Sequence, residues 1–154
     1  MSMLFWEDFE VGEEVEMGRH TFTEEEIIAF GRQFDPQPFH TDPGAANRSF
    51  YGGIIASGWH TCCVAMRIMV EFYIGRSASM GSPGMDNVRW LKPVRPGDTI
   101  TIRRVITASR PSLSRPAAGL LQSRTQAVNQ RGETVMTMEG WGMFHRRPAG
   151  QPLP

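Results

Sequence analysis

At 154 residues the chain has the length of one domain and can bury a substantial core without covalent staples. Sixteen basic and sixteen acidic residues cancel, which excludes a global field that would draw the chain to nucleic acid or to an anionic membrane. Two adjacent cysteines, Cys62 and Cys63, exclude a disulfide framework and a metal spacing, and no apolar run is long enough to span a bilayer.

In chain order, Asp8 to Glu13 reads as a leading turn before a short strand through about Phe22. Thr23-Glu24-Glu25-Glu26 then carries a capping-box signature, threonine at the N-cap and glutamate three residues on. Ile27, Ile28, Phe30 and Phe34 recur at helical spacing, and Asp35 before Pro36 marks the end of that helix. Residues 41–57 read as an ordered loop with one or two helical turns after Pro43, where Asp42 suits an N-cap. From Gly58 to Ile74 apolar residues lie on nearly all sides, the pattern of a buried helix, and Gly75 is its natural stop. Cys62, Cys63 and His60 fit there as core residues.

Four strand-like runs follow, at about 85–91, 99–109, 119–129 and 134–145. The segment 110–118 reads as a mobile connection and 146–154 as a frayed tail. Helical material first and a strand meander after it predict an α+β domain, with one antiparallel sheet wrapped around a central buried helix. Met1 to Glu10 lacks a basic n-region and an apolar h-region, so a soluble, cytoplasmic protein is expected.

The chemistry concentrates in Phe34-Asp35-Pro36-Gln37-Pro38-Phe39-His40 and in Ile54-Ile55-Ala56-Ser57-Gly58-Trp59. Two prolines hold the first segment out of the preceding helix, and they must bend it if Asp35 and His40 are to meet. The second segment runs into the buried helix, whose first free amides favour an oxygen carrying negative charge. Acid, imidazole and amide together are the parts of a proton-transfer site. The bland reading is a turn aspartate, a capping histidine and a tight glycine turn.

These residues resemble the MaoC-like, (R)-specific enoyl-CoA hydratase family, whose motif runs Asp, any residue, Asn, Pro, a large apolar residue, His. Gln37 stands where that family usually has Asn, one methylene longer but with the same amide donor and acceptor. The resemblance runs from about residue 8 to about 145 and includes Asn87 to Asp98. It implies a hot-dog fold, a homodimer, and reversible syn addition of water to a trans-2-enoyl thioester of CoA or an acyl carrier. It further implies Asp35 and His40 as the acid–base pair, the Gly58 amide as the carbonyl-oxygen donor, and no cofactor or metal. Gln37, Ser57, Phe39, Trp59, Arg89 and Lys92 are the candidate substrate contacts, Gln37 either bonding the substrate, orienting the pair or facing solvent. Two other readings stand beside this one. A hot-dog thioesterase needs a carboxylate on the central helix, where Glu71 sits near the far end, and a non-catalytic acyl-CoA-binding module needs no pair at all.

Overall fold

The computed structural model describes residues 2–150. Five strands, β1 (Glu14–Thr21), β2 (Gly84–Trp90), β3 (Thr99–Pro111), β4 (Ala118–Val128) and β5 (Thr134–His145), form one antiparallel sheet in the order β1-β3-β4-β5-β2. The long helix α4 (Gly58–Phe72) packs on the sheet, preceded by α1 (Glu24–Phe34) and two short helices, α2 (Pro38–Thr41) and α3 (Pro43–Asn47). The α+β architecture expected from the sequence is the one observed.

The period-2 pattern of β3 turns Ile100, Ile102, Arg104 and Ile106 inward, and α4 meets them with Val64, Ala65, Ile68 and Met69. Each fully buried Ile here contributes roughly 1.5–3 kcal/mol relative to exposure. The opposite stripe of α4, Trp59, Cys63, Met66 and Val70, stays exposed in the single chain. The helix expected to be buried on nearly all sides is therefore buried on one side only in this chain.

Strand pairing extends into the segment read as a loose connection, with Arg110 and Pro111 in register with Leu120 and Gly119. At the other end the Arg147 N–H donates to Glu7 Oε2 at 2.9 Å, and its guanidinium pairs with Asp8. The expected frayed tail is therefore fixed at residues 146 and 147, while its last four residues lie outside the described ones.

Thr23 caps α1 by accepting from the Glu26 N–H at 3.2 Å. The Glu26 carboxylate reaches back to Thr23 and also meets His20, at 2.5 Å.

Candidate active site

Three short pieces of chain converge beside the start of α4. Asp35 is the C-cap of α1, its N–H donating to Gly31 O at 2.9 Å, and Pro36 prevents the helix from continuing. Pro38 then opens a turn of helix rather than an extended strand, with Gln37 as N-cap, and this turn carries His40 back over α1. The approach is close enough that a Cβ on Gly31 would sit 2.9 Å from the His40 carbonyl oxygen and 3.0 Å from its Cβ. Glycine at 31 is therefore a condition of the site's geometry.

The extended residues 54–57 run alongside. Ile55 N–H donates to Phe39 O at 3.1 Å, and His40 Nδ1 lies 2.6 Å from Ile55 O. A carbonyl oxygen only accepts, so Nδ1 carries the proton, and Nε2 is the atom left for chemistry. It faces Asp35 Oδ2 at 3.2 Å. The Ser57 hydroxyl donates to the same oxygen at 2.7 Å, and the Gln37 amide donates to Oδ1 at 2.8 Å. Burial would raise the Asp35 carboxyl, but the bonds from Gln37 and Ser57 and the His40 imidazole outweigh it and hold it below its ordinary value. Asp35 is thus an anion at neutral pH.

Ser57 is also the N-cap of α4, accepting from the Trp59 N–H at 3.3 Å. Gly58 follows at the first helical position, and its N–H has no acceptor among the described residues. The pair and Gly58 open onto one cleft of about 530 Å³, walled further by Phe39, Trp59, Trp90 and Met136. A second cavity of about 200 Å³ lies near the other end of α4, between Met69, Tyr73, Met138 and Phe144, away from the pair.

Comparison with known proteins decides the family. The MaoC like domain matches residues 8–116, which contain Asp35, His40 and Gly58. The chain belongs to the MaoC-like domain family. A solved MaoC-like dehydratase from Rhodospirillum rubrum superimposes with a TM-score of 0.86 at 39% identity, covering 94% of this chain and 99% of that one. The R-hydratase PhaJ1 from Pseudomonas aeruginosa, at 18% identity and a TM-score of 0.76, covers 99% of this chain and 94% of that one and shares its fold. Among curated proteins, an uncharacterized protein YdeM of Bacillus subtilis is 25% identical over 134 residues, 87% of this chain and 92% of its own length. The hot-dog fold that the motif implied is the fold of this MaoC-like chain.

Within the MaoC-like site, Asp35, Gln37, Phe39, His40, Ser57, Gly58, Trp59 and Lys92 all border the cleft. Lys92 is already engaged: it pairs with Glu133, whose carboxyl is held down to about 2 by Lys92 together with Arg131 and Asn129. Arg89 lies on β2, paired in register with Thr137, outside the cleft lining. Glu71 is exposed and faces Arg67 at 3.8 Å, also away from the cleft.

Two contributors had no signal in the sequence. The Ile55 carbonyl, which fixes the His40 tautomer, is backbone and has no residue type. Trp90 lies so close to Gly58 that a Cβ there would be 2.4 Å from its indole nitrogen, and it meets Trp59 edge-on at 5.0 Å. A side chain at 58 would force this indole to shift, whatever else the Gly58 amide does.

Proposed function

We propose that this MaoC-like protein is an (R)-specific enoyl-CoA hydratase and 3-hydroxyacyl-CoA dehydratase, adding water reversibly and syn to a trans-2-enoyl thioester. The observation that carries the reading is the 3.2 Å approach of His40 Nε2 to Asp35 Oδ2, with the tautomer set by Ile55 and with the Gly58 amide on the same cleft. Two bases that face one another in this way can both hold hydrogens of a single water.

In the hydration direction His40 Nε2 takes one proton of that water while its oxygen bonds to C3. The electron pair of the C2–C3 double bond moves onto C2 and the thioester oxygen. Gly58, at the positive end of a helix of 15 residues, donates to that oxygen. The imidazolium so formed is stabilised by the Asp35 carboxylate, and it then returns its proton to C2 from the face on which water added. Syn stereochemistry follows from using one nitrogen for both transfers. Dehydration is the reverse path through the same groups.

The chain acts on a thioester of CoA or of an acyl carrier, and it pairs with a second copy of itself. The pairing surface is the exposed α4 stripe of Trp59, Cys63, Met66 and Val70, continued by Met85 and Trp90 on β2, a strand at the edge of the sheet. Loss of the conjugated enoyl absorbance on mixing with 2-enoyl-CoA substrates of C4 to C16 tests the activity. Release of free thiol without loss of that chromophore would instead identify a thioesterase.

A further inference from the structure

On the face of α1 and α4 away from the cleft, four polar side chains meet among aromatic rings. Glu26 of α1 places Oε1 2.5 Å from His20 Nε2, on β1, and 3.6 Å from His60 Nε2, in the first turn of α4. An Arg67 guanidinium nitrogen, two turns further along α4, lies 3.0 Å from His20 Nδ1. A guanidinium can only donate, so His20 Nδ1 accepts and its Nε2 holds the proton directed at Glu26. His60 is stacked on Phe30 at 4.6 Å and 6° and meets Phe22 edge-on at 4.9 Å. Its Nδ1 is buried and has no hydrogen-bond partner among the described residues.

A purely structural slot between two phenylalanines would be filled better by another apolar ring, since a buried imidazole nitrogen without a partner is destabilising. What an imidazole adds is a charge that depends on pH. Among the described residues, the charged or titratable groups facing it are Glu26 from α1, His20 from β1 and Arg67 from its own helix. Arg67 is in turn near Glu71. A second proton on His20 would remove the acceptor for Arg67 and set two cations together. A proton on His60 would bury a charge in competition with His20 for one carboxylate oxygen.

We propose that Glu26, His20 and His60 form an acid-sensitive clamp that positions the first turn of α4 against α1. The acid–base pair and the Gly58 donor are in line only while His60 is neutral. This rests on the hydratase reading, because α1 ends in Asp35 and α4 begins with Ser57 and Gly58. Glu26 and His60 are positioning residues, since neither borders the cleft. Burial opposes the charged form of His60, with His20 and Arg67 adding to it and Glu26 opposing. The fold therefore displaces protonation of His60 to below its ordinary value of 6.5, and the stability this neutral form contributes is lost as pH falls below that value.

The test compares wild type with His60→Phe, which fills the slot and cannot titrate, by kcat against pH from 5 to 8 and by tryptophan fluorescence over the same range. Wild type should lose kcat in acid with a slope approaching two protons, one of them taken at the clamp, with KM little changed. His60→Phe should keep its neutral-pH kcat within about threefold, fall with a slope of one, and lose the acid fluorescence change beside Trp59. An unchanged slope and an unchanged fluorescence transition in His60→Phe would overturn the clamp. Should that variant not fold, Glu26→Gln serves: its kcat at pH 7.5 should fall about tenfold and its acid limb should lose the second proton, whereas a limb like wild type's overturns the proposal. The fluorescence transition needs no substrate, so absence of enoyl-CoA turnover would sink the hydratase reading while leaving the clamp to be decided on its own.

Discussion

The Ser57 hydroxyl donates to Asp35 Oδ2 at 2.7 Å, the oxygen that also faces the His40 imidazole, while accepting from the Trp59 N–H. One buried side chain thus caps the helix that offers the Gly58 amide and holds the carboxylate that works with His40. Ser57→Ala should remove both. The lost cap and hydrogen bond should cost about 1–2 kcal/mol in stability. kcat/KM should fall by about ten- to a hundredfold, and the Asp35 carboxyl should rise towards its ordinary value, because one of the bonds that holds it down is gone. Urea unfolding and a pH–rate profile measure the two effects separately.

Acid stability follows from the same carboxylate. Asp35 in the fold lies below its ordinary value of 3.8, so the unfolded chain binds the proton more readily. The stability it contributes is present above that value and is lost as pH falls through the lower folded value. Glu26, which burial raises but His20 and Thr23 lower further, acts in the same direction. Unfolding midpoints between pH 5 and pH 2.5 should drop less steeply in Asp35→Asn than in wild type. Equal slopes would mean that Asp35 is not perturbed by folding.

Gly58→Ala places a methyl where the Trp90 indole lies, at 2.4 Å. Overpacking of this kind costs about 1–3 kcal/mol. Because the obstacle is one side chain, Trp90→Ala should recover most of that loss, giving a favourable coupling between the two changes in a double-mutant cycle. If Gly58→Ala is equally destabilising with and without Trp90, the obstruction lies elsewhere.

The exposed α4 stripe makes a prediction about assembly. Met66→Glu puts a charge in the middle of Trp59, Cys63, Met66 and Val70 without touching the buried side of the helix. Light scattering should find wild type as a dimer at micromolar concentration and Met66→Glu shifted towards monomer. A wild-type monomer would remove the pairing proposal.

Much of the fold was legible because its signals are local. Thr23, Pro36 and the alternation from Ile100 to Ile106 each mark an element by covalent geometry or by spacing, whereas Gly75 does not stop α4, which ends at Phe72 with Tyr73 as its C-cap. The acid, the imidazole and the serine were legible as types in a motif. Their roles depended on long-range contacts that carry no local mark: the Ile55 carbonyl on His40 and Trp90 over Gly58. His60 shows the same limit. Spacing made it a core histidine, and it is buried, yet one of its nitrogens is unpartnered and the other competes for Glu26. Glu26 was legible beside the Thr23 cap, a local pattern, while its contact with His20 on β1 was not.

The most direct measurement is hydration of crotonyl-CoA by wild type, Asp35→Asn and His40→Gln at equal concentration and neutral pH, with circular dichroism to verify that each variant is folded. Wild type should consume the enoyl chromophore to give the (3R)-3-hydroxyacyl thioester, and each variant should be slower by at least about a hundredfold. Folded variants that turn over at the wild-type rate would contradict the assignment of Asp35 and His40 as the pair that moves the proton.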